Sequence, residues 1–366
     1  MINKQLMVKL QNQLKSDGVD ALMIAPSNDM KFLIGEAPYL CERFQAMMVK
    51  ADGGYFYICN TLTYDEATDL MEGAKVYPWF DCDDFTLVVK AAFEENGLIG
   101  KKIAVNGSVR AFNLVRMMEK VNFTPVNGKD YLELTRIIKT PQELNNLRKS
   151  SLVVDEVFKE IITIIKPGMS EADVKDEISR LITKHGGVAS DHGGIVAINA
   201  NAALPHYFGE SGVIGKNAVV EMDYGCTVEG MWSDITRTVF VGEVSERQRE
   251  IYNLVLQANL AGEKAAVNGA YIPDVDAAAR KIIEDGGYGK NFFHRLGHGI
   301  GYAGHEAPYI HGDYHMNLAP GMAFSCEPGI YIKDEIGIRI EDVVIINEKG
   351  ETEVLNKCTK ELIVIK

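Results

Sequence analysis

The chain has 366 residues, 46% of them apolar and 24% charged, a composition that is ordinary for a soluble globular protein of two domains. Its formal net charge of −13 argues against a general nucleic-acid-binding protein, which needs a basic surface for phosphates. Neither the run of roughly 18 apolar residues that a membrane span needs nor the apolar core of a signal peptide is present. The six cysteines are scattered without a C-x-x-C pair, which indicates reduced thiols. We therefore expect a cytoplasmic protein without membrane or nucleic-acid partners.

Residues 1–135 are predicted to form an α/β domain. Leu6, Leu10 and Leu14 recur at a four-residue spacing, which predicts an amphipathic helix over 4–16. Later patterns predict strands near 21–24, 46–50, 55–59, 75–77 and 102–105 and helices near 64–72 and 83–95. Such alternation is typical of helices that cover a mixed sheet. No chemical motif occurs in this stretch, so we interpret it as a domain for oligomerisation or access.

Residues 136–366 are predicted to form a second domain built from two similar halves. Thr140-Pro141-Gln142-Glu143 combines an N-cap threonine, a proline at the first helical position and a capping-box glutamate, which predicts a helix start. The predicted order is a helix to about 165, a helix over 171–185, strands from 194 to 241, helices over 246–268 and 273–285, and further strands. Two helices followed by strands, twice over, predict an α+β domain with a pseudo-twofold duplication around a site.

Each half contains a hairpin with a pair of acidic residues. Asp223 and Asp234 flank the turn at 227–230, and both turns that fit this segment leave the two carboxylates on one face, either opposite or diagonal. Glu327 and Glu341 repeat the arrangement across a second hairpin with a three-residue loop. Like charges that face each other destabilise a sheet, and a cation between them removes the repulsion.

His298 is the imidazole that accompanies these carboxylates. It lies between Gly297 and Gly299, which allow backbone to approach a site closely. Four carboxylates balance two divalent cations, and oxygen-rich ligation with one imidazole favours manganese, cobalt, zinc or iron, with manganese first. Any one of the five residues alone is more simply an ordinary surface carboxylate or a core histidine. Burying all five unpaired would cost several kcal/mol each, so together they predict a metal-dependent hydrolase.

At these residues the sequence resembles the pita-bread metallopeptidases, the superfamily of aminopeptidase P, prolidase, methionine aminopeptidase and the metal-free creatinase. The matching segments are NAALPHY at 201–207, DYG at 223–225, SDITRT at 233–238, HRLGHGIG at 294–301, HE at 305–306, EPG at 327–329 and RIED at 339–342. The domain in front is similar to the N-terminal domain of the aminopeptidase P and prolidase branch. The resemblance implies a creatinase/prolidase-type α/β domain followed by a pita-bread catalytic domain.

The resemblance also implies a role for each matching residue. The metal ligands would be Asp223, Asp234, His298, Glu327 and Glu341, with Asp234 and Glu341 bridging two ions. Glu327 would in addition handle the proton of a metal-bridging hydroxide.

Five further residues would act around these ligands. His206 and His305 would steady the substrate carbonyl and the tetrahedral intermediate. His294 and Arg339 would lie in the substrate pocket or behind the ligands, and Thr236 would hydrogen-bond a ligating carboxylate.

Within this branch the implied reaction is hydrolysis of the Xaa-Pro bond at the N-terminus of small peptides, in a homodimer. No arginine lies between His305 and Glu327 to bind a free C-terminal carboxylate, as one does in some prolidases. The sequence therefore favours an Xaa-Pro aminopeptidase, with an Xaa-Pro dipeptidase as the alternative, because a partner subunit is another source of that charge. A metal-free creatinase-like hydrolase and a non-catalytic binding module are more distant alternatives, since such relatives have lost ligands that are all present here.

Overall fold

A computed structural model describes residues 2–190 and 193–366, which form two compact units, one up to Arg136 and the other Ile137–Lys366. Within the described ranges, the helices fall short of the length and apolarity that crossing a bilayer requires.

The first unit is a six-stranded sheet with helices on both faces. Its helices are α1 (Lys4–Ser16), α2 (Asn28–Ile34), α3 (Tyr64–Leu70), α4 (Phe85–Glu95), α5 (Ala111–Lys120) and α6 (Asp130–Glu133). Its strands are β1 (Ala21–Ile24), β2 (Ala46–Lys50), β3 (Tyr55–Asn60), β4 (Val76–Trp79), β5 (Lys102–Val105) and β6 (Thr124–Asn127). They lie in the order β4-β3-β2-β1-β5-β6, antiparallel at β1/β2 and β2/β3 and parallel elsewhere. The predicted mixed sheet is confirmed.

Both faces of this sheet are buried, as expected for strands that carry helices on each side. Leu22 and Met47 belong to one apolar cluster, and Met23 and Met48 belong to the other. Helix α5 is absent from the sequence prediction, and of its residues only Asn113 and Met117 are buried.

The second unit contains four long helices and several small sheets. The helices are α7 (Pro141–Ile164), α8 (Glu171–Lys184), α9 (Glu246–Ala265) and α10 (Ile272–Asp285). The first strands are β7 (Val188–Ala189), β8 (Ile195–Ile198), β9 (Ala218–Tyr224), β10 (Cys226–Val228), β11 (Met231–Trp232) and β12 (Ile235–Val241). The later strands are β13 (Gly297–Gly299), β14 (Glu306–Ile310), β15 (Ala323–Cys326), β16 (Gly329–Ile332), β17 (Ile336–Arg339), β18 (Asp342–Ile346), β19 (Thr352–Val354) and β20 (Val364–Ile365).

Each half of this unit has its own apolar core under a helix pair. Helices α7 and α8 pack on the sheet β20-β12-β9-β8, and helices α9 and α10 pack on the sheet β14-β13-β15-β18-β19. The halves join where the backbone N–H of Glu341 donates to the Thr236 carbonyl at 3.1 Å. The predicted duplication, and the pita-bread architecture that the resemblance implied, match this arrangement.

The two acidic hairpins have the registers that the sequence allowed. Asp223 pairs with Thr236, so Asp234 is its diagonal neighbour rather than its opposite, and the turn is centred on Glu229 and Gly230. In the second hairpin Gly329 pairs with Arg339 and a three-residue loop closes it at 333–335. Both predictions of facing acidic pairs follow from turn position alone.

The segment from 199 to 217 differs from the prediction of strand-like segments between 194 and 224. It begins as a short 3₁₀ turn, Asn199–Ala203, and continues as irregular backbone up to β9. Polar side chains hold this segment in place of a strand ladder, which hydrophobic alternation cannot reveal.

The turn between Asp223 and Asp234 offers a test of the fold. Glu229 and Gly230 both have positive φ, 50° and 78°, as a type I′ hairpin requires. Because asparagine tolerates this region better than other side chains, Glu229→Asn should raise the free energy of unfolding by about 0.5–1 kcal/mol, measured by urea denaturation. Glu229→Ala keeps the strain and should give no gain; equal stability of the two variants would contradict the assignment of the turn.

Candidate metal centre and active site

Side chains from the two acidic hairpins and β13 converge in the second unit. Ligand atoms of Asp223, Asp234 and Glu341 lie within 4.8 Å of one another, and so do those of His298, Glu327 and Glu341. Glu341 belongs to both groups, so the groups are adjacent, and a third group of Asp234, His298 and His305 overlaps with them. The five residues predicted as metal ligands are therefore brought together around a common centre.

His298 is held so that one ring nitrogen faces this centre. Its Nδ1 lies 3.1 Å from the Gly299 carbonyl, which can only accept, so Nδ1 carries the proton and Nε2 is left with its lone pair. That Nε2 lies 3.3 Å from Glu327 Oε1. A Cβ on Gly297 would lie 1.8 Å from the Ser325 carbonyl oxygen, so glycine is required there for the strand to fit.

The carboxylates of this centre are costly to ionise without a cation. Burial, and then the neighbouring acidic groups, raise the pKa values of Asp234 and Glu341 well above their ordinary range. Burial likewise raises the pKa of Glu327 to about 7, against the opposing effect of Arg339. Glu341 Oε1 is buried and has no hydrogen-bond partner among the described residues. A buried carboxylate oxygen without a hydrogen-bond partner, next to acids whose pKa values are raised, is an arrangement that a bound cation would stabilise.

Behind the carboxylates, Arg339 and Thr236 fix their orientation. Arg339 is almost fully buried; its Nη2 donates to Asp223 Oδ2 at 2.7 Å and its Nε donates to Thr236 Oγ1 at 3.1 Å. The Thr236 hydroxyl in turn donates to Glu341 Oε2 at 2.7 Å. One guanidinium thus orients a carboxylate from each half.

His294 belongs to the same network, and both of its ring nitrogens make hydrogen bonds within the protein. Its Nδ1 donates to the Arg295 carbonyl at 2.7 Å, and its Nε2 accepts from the Tyr331 hydroxyl at 3.0 Å. That hydroxyl also accepts from Arg339 Nη1 at 2.9 Å. Burial and the nearby Arg339 lower the pKa of His294 to about 3, so the ring is neutral and acts as a structural partner of Tyr331.

His206 and His305 lie at the open side of the centre, and both side chains are exposed. The His305 ring centroid is 3.8 Å from that of His298. Although part of the His305 side chain is open to solvent, partial desolvation of the ring and then Arg295 lower its pKa, which favours the neutral imidazole. A cavity of about 510 Å³ contains both histidines, the five clustered side chains, His294, Arg295 and Arg339. A second cavity of about 360 Å³ reaches the same histidines from the side of Tyr224 and Trp232.

The sequence prediction did not assign a role to three residues of this site. Tyr331 connects His294 with Arg339, and Glu221 lies fully buried with Oε1 at 3.2 Å from Arg339 Nη2. Arg295 lines the larger cavity. The sequence signal for Arg295 was its position inside the matching segment HRLGHGIG. Tyr331 and Glu221 lie among core residues in their strands, and the sequence gave no signal for a role in the site.

Comparison with known proteins shows the family to which the chain belongs. The sequence profile of metallopeptidase family M24 matches residues 145–348, more than half of the chain. The chain belongs to metallopeptidase family M24. The creatinase/prolidase N-terminal domain matches residues 7–138 of this M24 peptidase. The resemblance to pita-bread metallopeptidases, the predicted pair of folds and the prediction of a peptidase are confirmed.

Several relatives of the M24 peptidase cover almost its whole length. It is 32% identical to an Xaa-Pro dipeptidase of Lactobacillus delbrueckii subsp. lactis, over 93% of this chain and 94% of the relative. The solved prolidase of Thermococcus sibiricus has a TM-score of 0.93 at 29% identity, covering 100% of this chain and 99% of that one. The solved X-Pro aminopeptidase of Thermotoga maritima has a TM-score of 0.81 at 26% identity, covering 98% and 99%.

Family membership implies divalent metal ions, and the clustered side chains fit them. The cluster offers hard carboxylate oxygens, one imidazole with a free Nε2, and a buried oxygen without a partner.

The raised acid pKa values predict a pH-dependent stability of the metal-free M24 peptidase. Glu327 favours the folded state only while it is protonated, so its contribution is complete below pH 4.5, its ordinary pKa, and is lost as pH rises through about 7. Stability of chelator-treated protein in urea should fall by a few kcal/mol between pH 5 and pH 8. Saturating Mn²⁺ should remove most of this fall.

Glu327→Gln is the control for this prediction, because it removes one of the three titrating acids and should reduce the fall in stability of the metal-free protein, while Asp234 and Glu341 supply the remainder. Metal-free wild type that is equally stable at pH 5 and pH 8 would contradict the prediction.

Proposed function

We propose that the chain is an Xaa-Pro dipeptidase, which cleaves dipeptides with proline at the second position at a centre of two divalent ions. The observation that carries this proposal is Arg295. Its guanidinium lines the cavity of the acidic cluster and has no acidic partner among the described residues. The Xaa-Pro preference comes from the relatives, whose names combine dipeptidase, prolidase and aminopeptidase activities on that bond.

Two of the three overlapping groups of clustered side chains, those that share Glu341, suit two ions. We assign Asp223, Asp234, His298, Glu327 and Glu341 as the ligands, with Asp234 and Glu341 bridging and Mn²⁺ as the first choice of metal. Support comes from Glu341, which is common to both groups, and from the balance of four carboxylates against two divalent charges. When bound, such ions lower the pKa of a shared water and polarise the scissile carbonyl.

The protein side chains then supply binding, orientation and proton transfer. The neutral imidazole of His305 donates an N–H to the carbonyl oxygen as negative charge develops there, and His206, which lines the same cavity, supplies a second N–H. Glu327, which accepts from the Ser325 hydroxyl at 3.2 Å, takes up the proton released by the attacking water and returns it to the leaving nitrogen. Arg339 and Thr236 keep Asp223 and Glu341 in place throughout.

Arg295 favours a dipeptidase over the aminopeptidase that the sequence alone favoured. Its Nη2 lies 3.5 Å from His305 Nδ1, and its Cζ lies 4.7 Å from the centroid of Tyr309, which fixes the guanidinium beside the catalytic imidazole. In a dipeptide, a single residue follows the scissile bond, and consecutive Cα atoms are only about 3.8 Å apart. If the scissile carbonyl lies at His305, the terminal carboxylate therefore also lies near His305. A guanidinium at this point pairs with that carboxylate and leaves a longer peptide without the ion pair.

An Xaa-Pro aminopeptidase is the second candidate, because the structural likeness extends to an enzyme of that name. For the N-terminal unit we propose the predicted role in oligomerisation or access, within a cytoplasmic homodimer. The match of residues 7–138 to the creatinase/prolidase N-terminal domain supports a shared architecture with that branch.

Removal of the metal tests the proposed chemistry. Dialysis against EDTA should lower hydrolysis of Ala-Pro by about 100-fold or more, since the ions supply several kcal/mol of transition-state stabilisation, and Mn²⁺ should restore it. Asp234→Asn should prevent this restoration. Activity that survives chelation would favour the creatinase-like alternative, and a Mn²⁺-loaded protein that is inactive on every Xaa-Pro peptide would favour a binding module.

Substitution of Arg295 tests the dipeptidase assignment. Arg295→Met should lower kcat/KM for Ala-Pro by roughly 10- to 100-fold, mainly through KM, because a charge-assisted pair is worth about 1.5–3 kcal/mol. For Ala-Pro-amide, which has no carboxylate, kcat/KM should change little. Arg249→Met, on an exposed face of α9, is the matched control. Equal losses of kcat/KM on Ala-Pro and on Ala-Pro-amide would contradict the role of Arg295 and favour the aminopeptidase.

A further inference from the structure

His206 is placed by its backbone rather than by contacts of its own ring. It lies on the irregular segment between the 3₁₀ turn Asn199–Ala203 and β9, its side chain is exposed, and the ring makes no hydrogen bond among the described residues. Any group that fixes this segment therefore fixes the backbone position from which the imidazole extends. A displacement of about 1 Å in a catalytic group can cost 100-fold in rate.

One buried carboxylate holds that segment at both ends. Glu171, at the start of α8, has a fully buried side chain. Its Oε1 accepts from the Ile198 backbone N–H and from Asn201 Nδ2, both at 2.8 Å. Its Oε2 accepts from the Gly212 N–H at 2.7 Å and from the Tyr207 hydroxyl at 3.1 Å. The four donors lie before, beside and after His206 in the sequence.

The packing around Glu171 leaves no room for another arrangement. A Cβ on Gly212 would lie 2.4 Å from Glu171 Oε1, so a larger residue would displace the carboxylate. Tyr207, directly after His206, receives hydrogen bonds at its hydroxyl from Asn201 Nδ2 at 2.9 Å and from the Ser211 N–H at 3.2 Å. No lysine or arginine pairs with Glu171 in the described part of the chain, so these four hydrogen bonds are what satisfies the buried charge.

We infer that Glu171 is a positioning residue, which acts through His206 by fixing the backbone of the segment that bears it. The inference rests on the proposed function, in which His206 donates to the substrate carbonyl. A carboxylate suits this task because each of its oxygens accepts two hydrogen bonds, whereas a glutamine offers one such oxygen and turns an NH₂ group toward two donors. The residues of the metal centre lie on other elements and keep their own supports, Arg339 and Thr236.

A double-mutant cycle distinguishes this role from general stabilisation. Glu171→Gln should lower kcat for Ala-Pro by about 10- to 100-fold with bound Mn²⁺ unchanged. In a His206→Ala background the same substitution should cost less than about 3-fold, because the group that it positions is already gone. Asp176→Asn, an exposed acid on the same helix, is the control and should leave kcat unchanged in both backgrounds.

A milder variant keeps the test valid where Glu171→Gln folds poorly. Tyr207→Phe retains Glu171 with three of its four hydrogen bonds, and it also removes the two that the Tyr207 hydroxyl receives from Asn201 and Ser211. It should lower kcat in the wild-type background, and this loss should also vanish in the His206→Ala background. If Glu171→Gln lowers kcat by the same factor with and without His206, or leaves wild-type kcat unchanged, the positioning role is overturned while the proposed function stands. If His206→Ala itself retains full activity, the assignment of His206 in the proposed function fails instead.

Discussion

The repulsion among four carboxylates crowded into one place is the constraint on which this protein depends. Asp223, Asp234, Glu327 and Glu341 repel one another when ionised, and burial, followed by this repulsion, raises the pKa values of the last three. Two hairpins of fixed register keep these carboxylates together, because a strand cannot shift by one residue without turning its apolar side chains outward. The backbone, stabilised by two apolar cores, thus holds charges in an arrangement that only cations make favourable.

The buried guanidinium of Arg339 offsets part of the repulsion among these carboxylates. Arg339 compensates Asp223 directly and reaches Glu341 through the Thr236 hydroxyl, so it orients one carboxylate of each half while leaving net negative charge at the centre. Its remaining nitrogen is used by Tyr331, which in turn occupies His294. The network therefore supplies rigidity behind the centre and leaves the open side to His206, His305 and Arg295.

Sequence reasoning predicted those parts of the molecule that local signals determine. Hairpin turns, capping boxes and the glycines around His298 each have a physical cause within a few residues, so the acidic pairs and the duplicated helices could be placed in advance. The segment that bears His206 could not, because it is fixed by Glu171 from about 30 residues away rather than by its own pattern. Arg295 was passed over for the same reason: its nearness to His305 depends on how β13 and β14 pair, with a shift of register after His298. The roles of the individual site residues stay predictions that rest on geometry and resemblance.

The five clustered side chains are divided between the two halves, so the centre exists only while the halves are in contact. Asp223 and Asp234 precede α9 in the chain, and His298, Glu327 and Glu341 follow α10. A cut in the link at 242–245 that let the halves drift apart would leave one piece with two of these side chains and the other with three, each short of a full set. Cation binding in this fold is therefore a property of closed tertiary structure, and loss of bound metal would report the opening of the halves.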